Sequence, residues 1–243
     1  MPPISKYHLT SSNWSSVNII FLIKNYLKDF PILNLMEVLR EEEAEDFLEK
    51  ENFPISKRKA AKALNEAIKI ARRIKYPVAL KIQGKNIIHK SDVGGVILDI
   101  RNYDELGNAF NKIKKIKGFE KVIVQEYKQG KLLLLGLKRD SVFGHVVAVG
   151  AGDIYTEVLK DVSIRICPIE EKDADEMLKE LKIYPILRGV RGEKPVNFNL
   201  IKRLIVKTSQ LPKKHPKIRE LDINPLILTE HKVTVADARI IFD

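Results

Sequence analysis

Apolar positions along this chain follow two rhythms, one helical and one of strand type, and the rhythms alternate. "MEVLREEEAEDFLEKENFPI" places Val38, Leu39, Phe47 and Leu48 on one acidic helix that Pro54 ends. "SKRKAAKALNEAIKIARRIKYP" sets Ala60, Leu64, Ala67, Ile68, Ala71 and Ile74 at spacings of three and four, predicting a helix with a basic outer face. "YPVALKI" then reads as a short buried strand opened by Pro77, where a missing N–H is tolerated. "GVILDI" predicts a strand, "NYDELGNAFNKIKKI" a helix capped by Asn102, and "KVIVQEY" another strand. "KLLLLGLKRD" and "GHVVAVGAG" pair through a turn at "RDSVFG", and "VSIRICPI" adds a strand. Two helices follow, "EEKDADEMLKEL" with an acidic first turn and "VNFNLIKRLIVKTSQL" with an apolar stripe. Two strands, "ELDINPLILT" and "KVTVADARIIF", close the chain through "EHK". This alternation predicts an α/β or α+β fold rather than an all-helical one.

Residues 1–35 break the pattern. "MPPISKYHLTSSNWSSVN" is polar, and "IIFLIKNYLKDFPIL" predicts at most one short amphipathic helix. The expected organisation is an extension over residues 1–35 and a core over residues 36–243. The 243 residues, 44% hydrophobic and 31% charged, suffice for one large domain or two lobes sharing a cleft. Lys and Arg outnumber Asp and Glu by 43 to 32, giving a net charge of +11. The excess is dispersed and lacks interleaved aromatic residues, which argues against nucleic-acid binding and leaves an anionic small molecule or simply a Lys-rich proteome. A single Cys167 excludes an internal disulfide and a Cys-rich zinc site, and fits a reducing cytoplasm. The run "IIFLI" is far shorter than the ~20 residues of a membrane span. No membrane association is expected.

Three constellations carry chemistry. Lys81 sits on the apolar strand "VALKI", where burial is costly unless its head meets an anion. The following loop, "IIHKSDVGGV", holds His89, and Gly84, Gly94 and Gly95 would let backbone N–H groups approach phosphate. The competing reading is an edge-strand lysine beside an ordinary polar hairpin. In "VIVQEYKQG", Gln125 and Glu126 end a strand where a hinge could read adenine through its backbone and a ribose hydroxyl through Glu126; a solvated strand end is the plain alternative. In "ELDINPL", Asp222 and Asn224 share one strand face, and Asp237 of "VADARI" reaches the same face if the hairpin pairs around residues 230–232. Asp and Asn oxygens are donors that Mg²⁺ prefers, with water and phosphate completing the octahedron.

"YPVALKI…IIHKSDVGGV", "VIVQEY", "GLKRDSVFGHVVAVGAGDIYTEVLKDVSIRICPI", "YPILRGVRGEKP" and "ELDINPLIL…VADARI" occur in the order seen in one family. The chain resembles the beta subunit of ADP-forming acetyl-CoA (acyl-CoA) synthetases, ATP-grasp proteins related to the succinyl-CoA synthetase beta chain. The resemblance implies an ATP-grasp fold with a smaller lobe over about residues 54–126 and a larger lobe over about 127–243, the nucleotide lying between them. It implies that acyl-CoA, ADP and phosphate are interconverted with the acid, CoA and ATP, together with an alpha subunit bearing the CoA-binding and acyl-CoA ligase domains. His89 would relay the phosphoryl group, and Lys81 would meet the nucleotide phosphates. Gln125 and Glu126 would form the hinge, Glu157 and Arg165 would line the phosphate region, and Asn224 and Asp237 would hold Mg²⁺ with Asp222 behind them. The chain departs from the family at Gly84-Lys85-Asn86, at Leu132 and at Asp153. A diverged inert nucleotide-binding subunit, and another ATP-grasp carboxylate ligase, are the alternative readings.

Overall fold

A computed structural model describes residues 37–84, 87, 90–152 and 161–243. Residues 1–35, His89, Glu157 and Asp153, singled out above, lie outside the described residues. Val38 to Phe242 form one compact unit built on two sheets.

The smaller sheet comes from one continuous stretch. Its strands are β2 (Arg58–Ala61), β3 (Val78–Gln83), β4 (Val96–Ile100) and β5 (Lys121–Glu126), in the order β2-β5-β3-β4. Helices α2 (Leu64–Ile74) and α3 (Tyr103–Lys114) cover one face. Val78, Leu80 and Ile82 of β3 join Val122 and Val124 of β5 beneath Ala67, Ala71, Leu106, Phe110 and Ile113. Each Leu or Ile buried there contributes ~1.5–3 kcal/mol. Asn102 caps α3, its side chain accepting from the Glu105 N–H at 2.9 Å.

Strand alternation turns the next residues of β3 and β5 the other way. Ala79, Lys81, Ile123 and Gln125 are buried yet lie outside that helix-covered cluster, and the antiparallel register pairs Ala79 with Gln125 and Lys81 with Ile123. The central strands β3 and β5 are therefore buried on both faces, and the second face carries the polar groups.

The larger sheet takes one strand from before this stretch and the rest from after it. Its order is β1 (Glu37–Leu39), β11 (Ala238–Phe242), β9 (Ile218–Leu228), β6 (Lys131–Asp140), β7 (Gly144–Ala151), β8 (Val162–Ile166), with β10 (Val233–Val235) also on β9. Helices α1 (Glu41–Lys50), α4 (Glu171–Glu180), the short α5 (Tyr184–Leu187) and α6 (Phe198–Lys214) belong to its core. On α6, Ile201, Leu204, Ile205, Thr208 and Leu211 form one buried stripe. They meet Leu133, Leu135 and Leu137 of β6 and Leu221 and Ile223 of β9. Asp222 and Asn224 alternate with Leu221 and Ile223, so they belong to the face of β9 turned away from α6.

Three local expectations need correction. Val38 and Leu39 lie in strand β1, ahead of the acidic helix. Ala60 lies in β2, because Arg58 to Ala61 pair antiparallel with Val122 to Gln125 and that pairing overrides the helical spacing. The last predicted strand is two strands, β10 and β11, broken at Ala236 and Asp237.

Candidate functional site

The break in the last strand is where the two sheets meet. Lys81 Nζ donates to the Ala236 carbonyl at 2.6 Å, and Gln125 Nε2 donates to the same oxygen at 3.1 Å. Gln125 also donates to Ser56 Oγ, which in turn donates to the Val235 carbonyl at 3.2 Å. The segment joining the sheets on this side is held by backbone as well. Ser56 N–H donates to Val235 O at 3.1 Å and Val235 N–H to Pro54 O at 2.8 Å.

Asp237 follows Ala236 directly. The Asn224 N–H donates to the Asp237 carbonyl at 3.1 Å, so the two residues face one another across the strand pair. Asp222 lies two residues back, opposite Arg239. The Asp237 side chain keeps about a third of its surface, and its Oδ2 accepts from Lys90 Nζ at 3.0 Å. Burial, with the neighbouring Glu41 carboxylate, pushes the Asp237 carboxyl above the ordinary range, against the pull of Lys81 and Lys90.

Lys90 is placed by a closed turn. The Gly94 N–H donates to Ser91 O at 3.0 Å and the Gly95 N–H to Lys90 O at 2.7 Å. Gly94 has φ +66°, a left-handed conformation that glycine adopts without strain. A Cβ on residue 95 would stand 2.2 Å from Ile82 Cγ2. These glycines thus serve the turn and its packing on β3, and their N–H groups are spent inside it. That corrects the expectation that they approach phosphate.

The residue missed by the sequence reading is Glu41. It opens α1, is 5% exposed, and bridges two lysines: Oε1 accepts from Lys81 Nζ at 2.6 Å and Oε2 from Lys90 Nζ. Burial opposes the Glu41 charge, but Lys81 and Lys90 together hold its carboxyl below the usual range. Burial likewise opposes the Lys81 charge, and the carboxylates of Glu41, Asp237 and Glu45 override it to push the ammonium up to about 12. A detectable signal did exist. Glu41 and Glu45 are four apart beside Ala44 and Leu48, so they border the buried stripe of α1. Arg58 of β2 reaches the same helix, its Nε 2.5 Å from Glu45 Oε2.

The remaining predicted residues are less concentrated. Glu126 pairs with Lys128 at 3.2 Å, and the N–H groups of Glu126 and Tyr127 donate to Lys57 O and Pro77 O, so these groups are engaged within the end of the strand. Arg165 lies on edge strand β8, where it pairs with Glu180 of α4 and donates to Ser163 Oγ at 3.3 Å. Among the described residues no hydrogen bond or ion pair joins it to Lys81, Lys90 or Asp237.

Magnesium fits the residues at the junction. Asp237 already turns an oxygen to the Lys90 ammonium, and Asn224, its cross-strand neighbour, carries a neutral oxygen. Among the described residues no three His, Cys, Asp or Glu side chains gather as a metal cage. A two-residue oxygen set completed by water and phosphate is the arrangement Mg²⁺ tolerates best.

Two sheets that meet where a buried lysine of one binds the strand break of the other, beside Asp237 and Asn224, define a class. The chain belongs to the ATP-grasp family: its domain model matches residues 34–242. Within that family it belongs with the beta subunits of ADP-forming acetate–CoA ligases. It is 41% identical over 211 residues to acetate–CoA ligase [ADP-forming] I subunit beta of Pyrococcus furiosus, covering 84% of this chain and 91% of that one. It is 42% identical to acetate–CoA ligase [ADP-forming] I of Archaeoglobus fulgidus over 74% of its own length but spans only 27% of that protein. Among solved structures, acetyl-coenzyme A synthetase 1 of Ca. Korarchaeum cryptofilum superposes with a TM-score of 0.75 at 34% identity, over 93% of this chain and 98% of that one. That protein was solved with coenzyme A and Mg-AMPPCP, its phosphohistidine segment pointing towards the nucleotide binding site. Among the described residues no helix is long and apolar enough to cross a membrane.

Proposed function

We propose that this chain is the nucleotide-binding subunit of a cytoplasmic ADP-forming acyl-CoA synthetase, passing a phosphoryl group between a phosphohistidine and ADP. The net reaction converts acyl-CoA, ADP and phosphate to the acid, CoA and ATP, and an alpha subunit supplies CoA binding and acyl transfer. The observation that carries this reading is the meeting of Lys81 with the Ala236–Asp237 segment, opposite Asn224. In this reading Lys81 receives the nucleotide phosphates, Gln125 and Glu126 belong to the hinge beside the base and ribose, and Glu157 and Arg165 serve the phosphate region. Asn224 and Asp237, with Asp222 behind them, would hold Mg²⁺, which neutralises phosphate charge when bound.

His89 is the proposed relay. Its imidazole nitrogen takes the phosphoryl group from the phosphohistidine of the alpha subunit, the donor's N–P bond breaking as the new N–P bond forms, and yields it to a β-phosphate oxygen of ADP; the second N–P bond breaks as the O–P bond of ATP forms, and the ring recovers its lone pair. Positioning supplies most of the catalysis in such a transfer, because the loose transition state asks little covalent chemistry of the protein.

The test uses the chain with its alpha partner. His89→Asn is expected to abolish acyl-CoA-dependent ATP synthesis while Mg-ADP binding persists. Incubation of the wild type with Mg-ATP should leave an acid-labile phosphate on His89, read by mass spectrometry under alkaline handling. Undiminished turnover in His89→Asn would overturn the relay. Absence of Mg-nucleotide binding in the wild type would overturn the whole reading.

A further inference from the structure

The acidic residues of α1 divide between two environments. Glu43 is exposed and Glu42 reaches out to Lys121, whereas Glu41 and Glu45, one turn apart, are buried. A carboxylate taken from water must be matched by cations and hydrogen bonds. Glu41 is matched on both oxygens, and by lysines from two different elements. Each lysine has a second anchor: Lys81 on the Ala236 carbonyl and Lys90 on Asp237 Oδ2. An ammonium has three donors, so among the described residues each retains one for a further acceptor.

Docking the helix does not call for this arrangement. Ala44 and Leu48 bury the apolar stripe of α1 in the large core, and Glu45 with Asp46 engages Arg58 of the small sheet. Glu41 does something different, since two ammonium groups on separate elements repel one another unless an anion stands between them.

We infer that Glu41 is a positioning residue of the nucleotide site: its carboxylate spans Lys81 and Lys90 and holds both ammonium groups in place for the polyphosphate of a nucleoside di- or triphosphate. The inference rests on the nucleotide-binding reading above. Glu41 meets no phosphate itself and acts through the two lysines, which would otherwise have to be ordered at the moment of binding.

The experiment titrates the full chain with Mg-ADP and with AMP and compares the ratio of the two affinities. In Glu41→Gln the preference for Mg-ADP over AMP is expected to fall about tenfold or more, because the additional phosphate loses its prearranged partners. Glu41→Asp, one methylene shorter, should fall between that variant and the wild type, and it carries the test if Glu41→Gln does not fold. Lys90→Met, which removes one arm, should shift the ratio in the same direction. An unchanged ratio, or tighter Mg-ADP binding in Glu41→Gln, overturns the inference while nucleotide binding by the wild type stands. Failure of the wild type to bind either nucleotide overturns both.

Discussion

The Lys81 ammonium and the Ala236 carbonyl oxygen lie 2.6 Å apart, and this contact joins the small sheet to the residue preceding Asp237. Lys81 is 7% exposed and is the charged member of a strand whose other side chains are mostly apolar. Its partners, Glu41 and Ala236, come from the large-sheet half of the fold.

Lys81→Met is therefore expected to act on stability and on binding together. Removing one member of a buried pair leaves Glu41 with only Lys90, at a cost on the order of 3–5 kcal/mol. Mg-ADP affinity should fall at least about tenfold, a loss of ~1.4 kcal/mol or more. Thermal unfolding and calorimetric titration measure the two effects separately. A variant as stable as the wild type would show that the pair contributes nothing net to the fold.

Asp237 and Asn224 face each other across the β9–β11 pair, and Asp237 is the residue on which a cation already rests. Asp237→Asn should weaken nucleotide binding in the presence of Mg²⁺ and leave metal-free binding nearly unchanged. The folded state should survive, since Asp237 keeps part of its surface in water. Titrations in Mg²⁺ and in a chelator decide it; an equal Mg²⁺ dependence in variant and wild type would remove Asp237 from the ligand set.

Glu45 makes the fold sensitive to pH. Burial first, and the Glu41 carboxylate second, push its carboxyl from 4.5 up to about 8, against Lys81 and Arg58. Between those values the folded chain holds a proton that the unfolded chain has released. The native state binds more protons there, so stability declines as pH rises. The contribution is complete below about 4.5 and gone above about 8. Glu45→Gln stays neutral throughout, so its melting temperature should fall less steeply across this window, by the equivalent of a few kcal/mol. Parallel melting curves for the two proteins would show that Glu45 titrates elsewhere.

The family match leaves residues 1–33 outside it, and residues 1–35 are expected to lie outside the ATP-grasp core. A chain starting at Met36 should fold and melt within a few degrees of the full one. Each kcal/mol lost moves a domain of this size by ~2–4 °C, so a larger drop would assign those residues to the fold.

The helices α3, α4 and α6 and most strands were legible because each pattern is set by its own residues: Asn102 caps α3, and Leu204 to Leu211 repeat at helical spacing. The shared strand face of Asp222 and Asn224 was legible from their spacing, and motifs in a fixed order marked the family. "RKAA" reads as helix by itself and became β2 because β5 offered a ladder of backbone partners. "VTVADARIIF" reads as one strand and became two, with the Ala236 carbonyl left to accept from Lys81 and Gln125. The spacing of Glu41 from Glu45, beside Ala44 and Leu48, sets it at the border of the buried stripe but names no partner for it. What decided its role was distance in space: Lys81 lies 40 residues away and Lys90 lies 49. Periodicity reports which side of an element a residue occupies. Only the folded chain determines what stands opposite, because a buried charge is tolerated where partners from other elements arrive.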